Sequence, residues 1–272
     1  MEDNFPMISI ITVSFNASAT IEKTIQSVVT QQYPNFEYIF IDGGSKDSTL
    51  EIIGKYQSHV SLLISEPDKG PFDAMNKGIS KAKGEIIGIL NADDWYEEGS
   101  LKSIGEAFSN NKKLDVICGN MQYWDGELKG KLSIAVLERI KKEMSLNHPT
   151  VFVNRQTYLE HGNFNLQFKL ASDYELMLRF YTRGCNFLIL NRCISHMSLQ
   201  GMSDLYWKKT IKEVLAIKLL YVSPLKARFE YIEIYLKDSL VRSLKYLNLY
   251  GFYKSYKNFT GSLNGKGQRF SN

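Results

Sequence analysis

From its amino end the chain alternates short apolar, β-branched runs with amphipathic stretches. Met7 to Ser14 (MISIITVS) reads as a buried strand, because Ile and Val branch at Cβ and pack well on a pleated surface. Ala19 to Gln32 repeats its apolar residues at helical spacing, with Ile21, Ile25, Val28 and Val29 on one face. Phe36 to Ile41 predicts a second strand, closed by Asp42-Gly43-Gly44-Ser45, a turn that needs a flexible backbone. Asp47-Ser48-Thr49 opens a helix through Tyr56, with Asp47 as the expected N-cap. Val60 to Ile64 is a third strand, Pro71 suits the first turn of a helix running to about Ala82, and Ile86 to Leu90 is a fourth strand. Strands alternating with helices of this length predict right-handed crossovers and a mostly parallel sheet, hence an α/β fold.

Past Trp95 the order changes. Glu97 to Asn110 has helical spacing and Val116 to Tyr123 is extended, followed by a hairpin-like Trp124-Asp125-Gly126-Glu127 that suggests an antiparallel pair. Asp173 to Arg183 reads as an amphipathic helix, Phe187 to Met197 as extended, and Asp204 to about Leu247 as helical with a break at Ser223-Pro224. The break near Gly201 is the expected domain boundary. It divides a domain of residues 1–203, with halves of about 1–95 and 96–203, from a helical extension over 204–260 and a flexible, polar tail over 261–272.

Composition bounds the picture without changing it. With 272 residues, 44% of them hydrophobic and 23% charged, the chain fits one large globular domain plus an appendage. The acidic start Met1-Glu2-Asp3-Asn4 offers no secretory n-region, no apolar run reaches a membrane span, and Cys118, Cys185 and Cys193 lack metal-type spacing. A reduced, cytoplasmic setting is the expectation. Charge does add something. The net +4 splits into +7 over residues 205–260 and −3 over the rest, which points to an anionic surface as a partner of the tail.

Candidate chemistry gathers at strand ends. In an open α/β sheet, ligands bind beyond the carboxyl ends of the strands. Here those ends supply Thr12, Ser14 and Asn16, then Asp42, then Asn91-Ala92-Asp93-Asp94. Adjacent carboxylates repel unless a cation sits between them, so Asp93 and Asp94 suggest a divalent metal completed by water and substrate phosphates. Taken alone, the pair also fits a solvated turn. An Asp can accept the N3–H of a uracil or thymine ring, with Thr and Asn completing a base or ribose cradle.

Several motifs in order resemble family 2 inverting glycosyltransferases of the GT-A fold over roughly residues 7–203. They are Thr12-Val13-Ser14-Phe15-Asn16, the run Ile41 to Thr49 (IDGGSKDST), Ser65-Glu66-Pro67-Asp68-Lys69-Gly70, Asn91-Ala92-Asp93-Asp94 and Ser172-Asp173-Tyr174-Glu175. The run Glu66 to Gly78 (EPDKGPFDAMNKG) looks especially like bacterial enzymes that build O-antigen, capsule and colanic-acid repeat units. The resemblance implies a Rossmann-like, mostly parallel central sheet with a small antiparallel sheet. It implies that Thr12, Ser14, Asn16 and Asp42 hold the nucleoside, and that Asp68, Lys69, Gly70, Asp73 and Asn76 line the sugar-nucleotide pocket. Asn91 and Asp93 would complete the donor site, with Asp93 and Asp94 binding Mn2+ or Mg2+. Two departures stand out: many members carry a second Asp where this chain has Gly43, so a base contact from that position is lost, and many carry Asp where it has Asn91.

Asp173 matches the family's catalytic base. Inversion needs a carboxylate that removes the acceptor hydroxyl's proton as the new bond forms, while the metal offsets charge on the departing diphosphate. At a helix start the carboxylate is expected to stay ionised. An N-cap role is the other reading of Asp173. Glu175 is the competing base, or a partner of Arg179 one turn on. His148 faces the acceptor or is a backbone-bonded loop histidine. His196, before Gln200-Gly201-Met202-Ser203, is a metal ligand or a structural histidine, and that stretch, with Ser203, resembles the family's closing loop over the diphosphate. Trp95 supports the sugar pocket or fills core.

These features predict a non-processive hexosyltransferase using a UDP-sugar. Neither membrane spans nor the Gln-x-x-Arg-Trp motif of processive relatives occurs. The resemblance implies a polyprenyl-diphosphate-linked saccharide acceptor at the inner face of the cytoplasmic membrane, in O-antigen or lipopolysaccharide assembly. The basic, aromatic-rich stretch 205–260 suits an anionic membrane surface, and its apolar stripe also suits the core or a second copy of the chain. No nucleic-acid motif accompanies the basic residues. A nucleotidyltransferase and a non-catalytic sugar-nucleotide or glycan-binding module are the alternatives. Ser14-Phe15-Asn16-Ala17 lacks the Gly-rich basic loop of the first, and the presence of Asp93, Asp94 and Asp173 counts against the second.

Overall fold

A computed structural model describes residues 5–198 and 206–247. The chain divides in sequence into two compact units, the first ending at Tyr221 and the second starting at Val222. The first contains one mixed sheet of nine strands: β1 (Ile8–Ser14), β2 (Phe36–Asp42), β3 (Leu62–Ser65), β4 (Ile86–Asn91), β5 (Asp94–Tyr96), β6 (Val116–Asp125), β7 (Leu128–Ser133), β8 (Phe152–Asn154) and β9 (Phe187–Ser198). Their order is β3-β2-β1-β4-β8-β6-β9-β5, with β7 paired to β6. The helices are α1 (Ile21–Val29), α2 (Thr49–Gly54), α3 (Pro71–Lys81), α4 (Ser100–Asn110), α5 (Arg155–His161), α6 (Ser172–Thr182) and α7 (Trp207–Tyr221), with α8 (Pro224–Tyr246) in the second unit. This is the expected GT-A-type α/β architecture.

Strands β3, β2, β1 and β4 pair in parallel, as the alternating pattern predicts. Every residue of β1 is buried, because successive side chains enter two different cores. Ile11 and Val13 join Ile39, Ile41, Met75 and Ile79, whereas Ile8 and Ile10 join Tyr38, Phe40, Ile25 and Val28. The short β8 escapes the sequence reading, being only three residues long. It pairs antiparallel with both β4 and β6 and so carries the parallel half of the sheet into the second half. The Trp124–Glu127 hairpin forms as expected, joining β6 to β7 around Gly126.

Several boundaries differ from expectation, three of them for a clear local reason. The helix expected from Glu97 begins at Ser100, since the Glu97 N–H donates to Ile194 O at 2.9 Å beside β9 and Gly99 turns the chain at φ +70°. The strand expected from Val60 begins at Leu62 because Gln57–His59 closes a 3-10 turn. Asp47 sits one residue before the cap position of α2, yet its Oδ1 accepts from the Thr49 N–H at 3.1 Å.

The first unit continues past the break expected near Gly201, which lies outside the described residues. Helix α7 is tied in by Glu213, whose carboxylate accepts the N–H groups of Lys169, Leu170 and Ala171 at 2.8–3.1 Å. Lys218 donates to Lys142 O, and Tyr221 donates to Glu175. The same carboxylate of Glu175 holds the Arg179 guanidinium through two bonds of 3.0 and 3.1 Å. Arg179 also donates to the carbonyls of His161 and Asn163, closing the α5–α6 connection. Removing the guanidinium leaves a buried carboxylate and two carbonyls without it. Arg179→Ala is expected to lower stability by about 3–5 kcal/mol, read as a shifted urea midpoint, and a loss below about 1 kcal/mol would show that Arg179 is not structural.

Candidate active site

The register of the parallel strands brings their ends to one rim. Ser14 pairs with Asp42, Val13 with Asn91, and Asp42 with Ser65, so the polar clusters after β1, β2 and β4 are neighbours. This is where an open sheet binds ligands. The side chains do not all face outward, however.

Asp42 is fully buried and both its oxygens are occupied. Oδ1 accepts from the hydroxyls of Ser14 at 3.0 Å and Ser45 at 2.5 Å. Oδ2 accepts from the Gly44 and Ser45 N–H groups at 3.0 and 2.8 Å and from the Ser65 hydroxyl at 2.7 Å. Burial alone would raise its pKa, but these donors outweigh it and hold the carboxyl below its ordinary value. Asp42 therefore joins β1, β2 and β3 and has no oxygen left for a base, a correction to its expected role. A similar correction applies to Thr12 and Ser14. Thr12 is buried against the Tyr38 hydroxyl at 3.1 Å, and Ser14 is spent on Asp42. Asn16, at φ +49°, accepts from the Lys46 N–H at 2.8 Å while its own N–H donates to Ser45 Oγ. Thr12 and Ser14 thus brace the rim from within, whereas Asn16 is exposed at it.

The 66–73 loop is also braced. Lys77 pairs with Glu66 at 2.8 Å and donates to Pro67 O at 3.2 Å, and the Glu66 N–H donates to Asp42 O at 3.0 Å. Asp73 accepts the Lys69 N–H at 3.1 Å, and Gly70 starts α3 at φ +117°. Asn76 makes two bonds of 2.9 Å to the backbone of Phe164, so it ties α3 to the 164–165 loop and does not face a ligand. Lys69 is exposed, and Asp68 is partly exposed with only Oδ1 engaged, by the Gly70 N–H at 2.7 Å. Phe15, which the sequence reading left without a role, is 63% exposed at this rim. An exposed Phe directly after a buried strand was the available signal.

The acidic pair is divided. Asp93 is exposed on the turn after β4, and partial burial of its carboxyl raises its pKa. Asp94 opens β5 and is completely enclosed, with Oδ2 accepting from Asn91 Nδ2 at 3.1 Å and Oδ1 unpartnered. Strand alternation sends Asp94 to the same side as the buried Tyr96. The exposed Asp93 thus fits an oxygen ligand for a divalent cation, while Asp94 is enclosed and keeps one oxygen without a hydrogen bond among the described residues. Asn91, partly exposed, donates to Asp94 through Nδ2.

Trp95 lies on the opposite side of β5. Its ring stacks on His196 with centroids 5.2 Å apart, and Lys23 Nζ lies 3.1 Å from its centroid, so it is neither plain core nor free. His196 accepts at Nδ1 from the Trp124 indole at 3.0 Å. Because an indole N–H only donates, the histidine proton is on Nε2, facing Glu97 Oε2 at 3.0 Å. Ligand atoms of Glu97, Cys193 and His196 lie within 4.8 Å of one another, but that proton blocks a metal at Nε2. The hydrogen bonds to Trp124 and Glu97 favour the structural alternative for His196, and Ser203 lies outside the described residues.

Asp173 is the second residue of α6, after Ala171 at the cap position, so it is not the N-cap. Its Oδ1 accepts the Tyr174 N–H at 2.8 Å, and among the described residues no cation pairs with it. Burial pushes its pKa up to about 6, with a smaller upward push from Glu213, against the expectation that the helix terminus keeps it fully ionised. Glu175 is spent on Arg179 and Tyr221 and is no base. The Ser172 hydroxyl donates to Asn165 O at 3.0 Å, so the start of α6 and α3 grip the same 164–165 loop. His148 packs edge-on against Phe164 at 5.5 Å, and burial lowers its pKa to about 4, leaving it neutral.

Comparison with known proteins agrees with this geometry. Residues 9–174 match the family model described as glycosyl transferase family 2. A PGL/p-HBAD biosynthesis glycosyltransferase of Mycobacterium bovis is 26% identical over 187 residues, covering 65% of this chain and 70% of the relative. An uncharacterized glycosyltransferase of Haemophilus influenzae is 37% identical over 128 residues, 46% of this chain and 50% of that protein. Among solved structures, S. aureus TarS 1–349 in complex with UDP-GlcNAc superposes with a TM-score of 0.67 at 20% identity, covering 84% of this chain and 71% of that one. The Pyrobaculum calidifontis mannosyltransferase PcManGT with GDP-Man and Mn2+ gives 0.66 at 14% identity, covering 94% and 84%.

Proposed function

The chain belongs to glycosyl transferase family 2, and from that premise we propose that it moves a single hexose from a UDP-sugar onto a lipid-linked saccharide, with inversion. The observation that carries the mechanism is Asp173, a half-buried carboxylate without a cationic partner among the described residues and with a pKa raised to about 6. A base at that pKa is ionised at neutral pH yet retains affinity for a proton. Asp173 accepts the proton of the acceptor hydroxyl as it attacks the anomeric carbon from the face opposite the leaving diphosphate. Asp93 would hold Mn2+ or Mg2+, and the ion, when bound, would offset charge on the departing phosphate. The neighbour solved with Mn2+ supports the ion, and the one solved with UDP-GlcNAc supports the donor class.

The acceptor side of the proposal draws on the second unit. Leu225, Phe229, Ile232, Leu236 and Leu240 of α8 are all more than half exposed and fall on one helix face. Together with the +7 charge of residues 205–260, this ridge suits the headgroup region of an anionic membrane. No helix among the described residues is long and apolar enough to cross a membrane. Surface polysaccharide assembly at the inner face of the membrane follows as the proposed setting, with a second copy of the chain as the alternative cover for the ridge.

The test incubates the protein with UDP-, dTDP- and GDP-sugars plus Mn2+ or Mg2+ and anionic vesicles carrying a polyprenyl-diphosphate saccharide. Metal-dependent diphosphate release from one UDP-sugar and co-sedimentation with the vesicles are expected. No release and no metal-dependent nucleotide binding would overturn the transferase reading. Protein that stays in the supernatant as a dimer would overturn the membrane reading.

A further inference from the structure

Gly43 stands at the head of the pocket without a backbone reason to be glycine. Its neighbour Gly44 has φ +82°, but Gly43 is not among the residues with positive φ. Space is what requires it. A Cβ at Gly43 would lie 2.7 Å from Asp68 Oδ2, 3.4 Å from Asp68 Cγ and 3.3 Å from the Phe15 ring at Cδ2. The Asp68 carboxylate therefore occupies the volume that a side chain at residue 43 would fill, and Phe15 borders the same volume.

Asp68 is well fixed for a loop residue. Its Oδ1 is held by the Gly70 N–H, and the Lys77 ammonium grips the loop at Glu66 and Pro67. Oδ2 has no hydrogen bond among the described residues. The spot thus combines an exposed aromatic ring, a bare Cα and one free, acceptor-only oxygen, at the rim where β1 and β2 end. Asp42 cannot play this part, since five donors already saturate it.

An exposed aromatic ring beside a carboxylate that offers only an acceptor suits a planar heterocycle with a ring N–H. Uracil, thymine and guanine carry one. Cytosine has nearly the shape of uracil but turns a lone pair to the same position, where it meets the anion. We propose that Asp68 is the base-reading residue of this enzyme, selecting a nucleoside whose base presents a ring N–H, from a loop carboxylate that stands in for the side chain missing at Gly43. The inference rests on the nucleoside-diphosphate-sugar reading above. It also removes the expectation that a base contact is lost with Gly43, because the contact has moved to a different segment of the chain.

Calorimetric titration with UDP and CDP tests it, since the two differ in that ring position. The unsubstituted protein is expected to prefer UDP by roughly tenfold or more, the size of one charge-assisted hydrogen bond. Asp68→Ala should weaken UDP by about that factor and erase the preference. Asp68→Asn should narrow it, as an amide can turn an N–H toward cytosine. Gly43→Asp alone should weaken UDP binding by crowding Asp68, and Gly43→Asp with Asp68→Gly should restore both affinity and preference. Melting temperatures and circular dichroism show whether each variant is folded, and the rescued double variant provides a folded comparison. A UDP preference that survives Asp68→Ala overturns the assignment, as does a double variant that stays impaired while folded. If the unsubstituted protein binds no nucleoside diphosphate at all, the donor reading itself fails, a result visible before any substitution is made.

Discussion

Asp173→Asn is expected to reduce sugar transfer by about 10²–10⁴-fold, the range a positioned general base contributes, while leaving UDP-sugar affinity nearly unchanged. The same variant should be more stable than the parent at pH 8. The folded-state pKa of about 6 lies above the ordinary Asp value of 3.8, so the folded protein holds this proton more tightly than the unfolded chain does. The resulting stabilisation is complete below the unfolded pKa and is lost as pH rises through about 6. At pH 8 the ionised carboxylate carries a penalty of about 3 kcal/mol at most, taken as roughly two pKa units. A neutral amide avoids it, and a rise of several degrees in melting temperature should appear at pH 8 and vanish near pH 4. Activity follows the opposite course, with kcat/KM of the parent falling about tenfold per unit below pH 6, where the base is protonated. A variant that is inactive and no more stable at pH 8 would leave Asp173 without the buried-base character assigned to it. One that is stabilised and fully active would remove it from the mechanism.

Asp93→Ala is expected to lower metal-dependent turnover by roughly 10²–10³-fold, the loss of several kcal/mol of charge stabilisation at the leaving diphosphate. Mn2+ should no longer tighten UDP binding. Asp94→Asn is the informative companion, because the two carboxylates are adjacent in sequence but face different surroundings. Asp94 is enclosed and bonded to Asn91 at 3.1 Å, so a neutral isostere there should fold, bind Mn2+ with UDP and turn over within a few-fold of the parent. Equal loss of metal dependence in both variants would restore the pair as joint ligands. The comparison is best read by titrating Mn2+ at saturating donor, where a binding defect and a folding defect separate.

Much of the architecture was legible because the local patterns were long and consistent. The runs that became β1, β2 and β4 are mostly apolar, as strands covered on both faces tend to be, and α3 announces itself with Pro71. The rim was legible too, since parallel strands place their polar ends side by side. What the pattern could not show was the direction each polar group faces. Ser14, Asp42 and Ser65 are all plausible ligands by residue type, yet they bond to one another across 23 to 28 positions of sequence. The division of Asp93 from Asp94 follows from β5 starting at Asp94, a three-residue strand too short to stand out by periodicity. Glu175 with Arg179 was visible as an i, i+4 pair, but Tyr221, which completes the cluster, comes from a helix 46 residues away. The meeting of Phe15 and Asp68 over Gly43 exists only in three dimensions.

The saturated carboxylate of Asp42 has a consequence for how the enzyme spends its time. A loop whose amides at Gly44 and Ser45 are locked to a buried anion is a frame and not a lid. The entropy lost in ordering it is discharged once, when β1, β2 and β3 assemble, and is not incurred again with each donor that arrives. Nucleotide capture on this side of the pocket is then expected to need little backbone rearrangement.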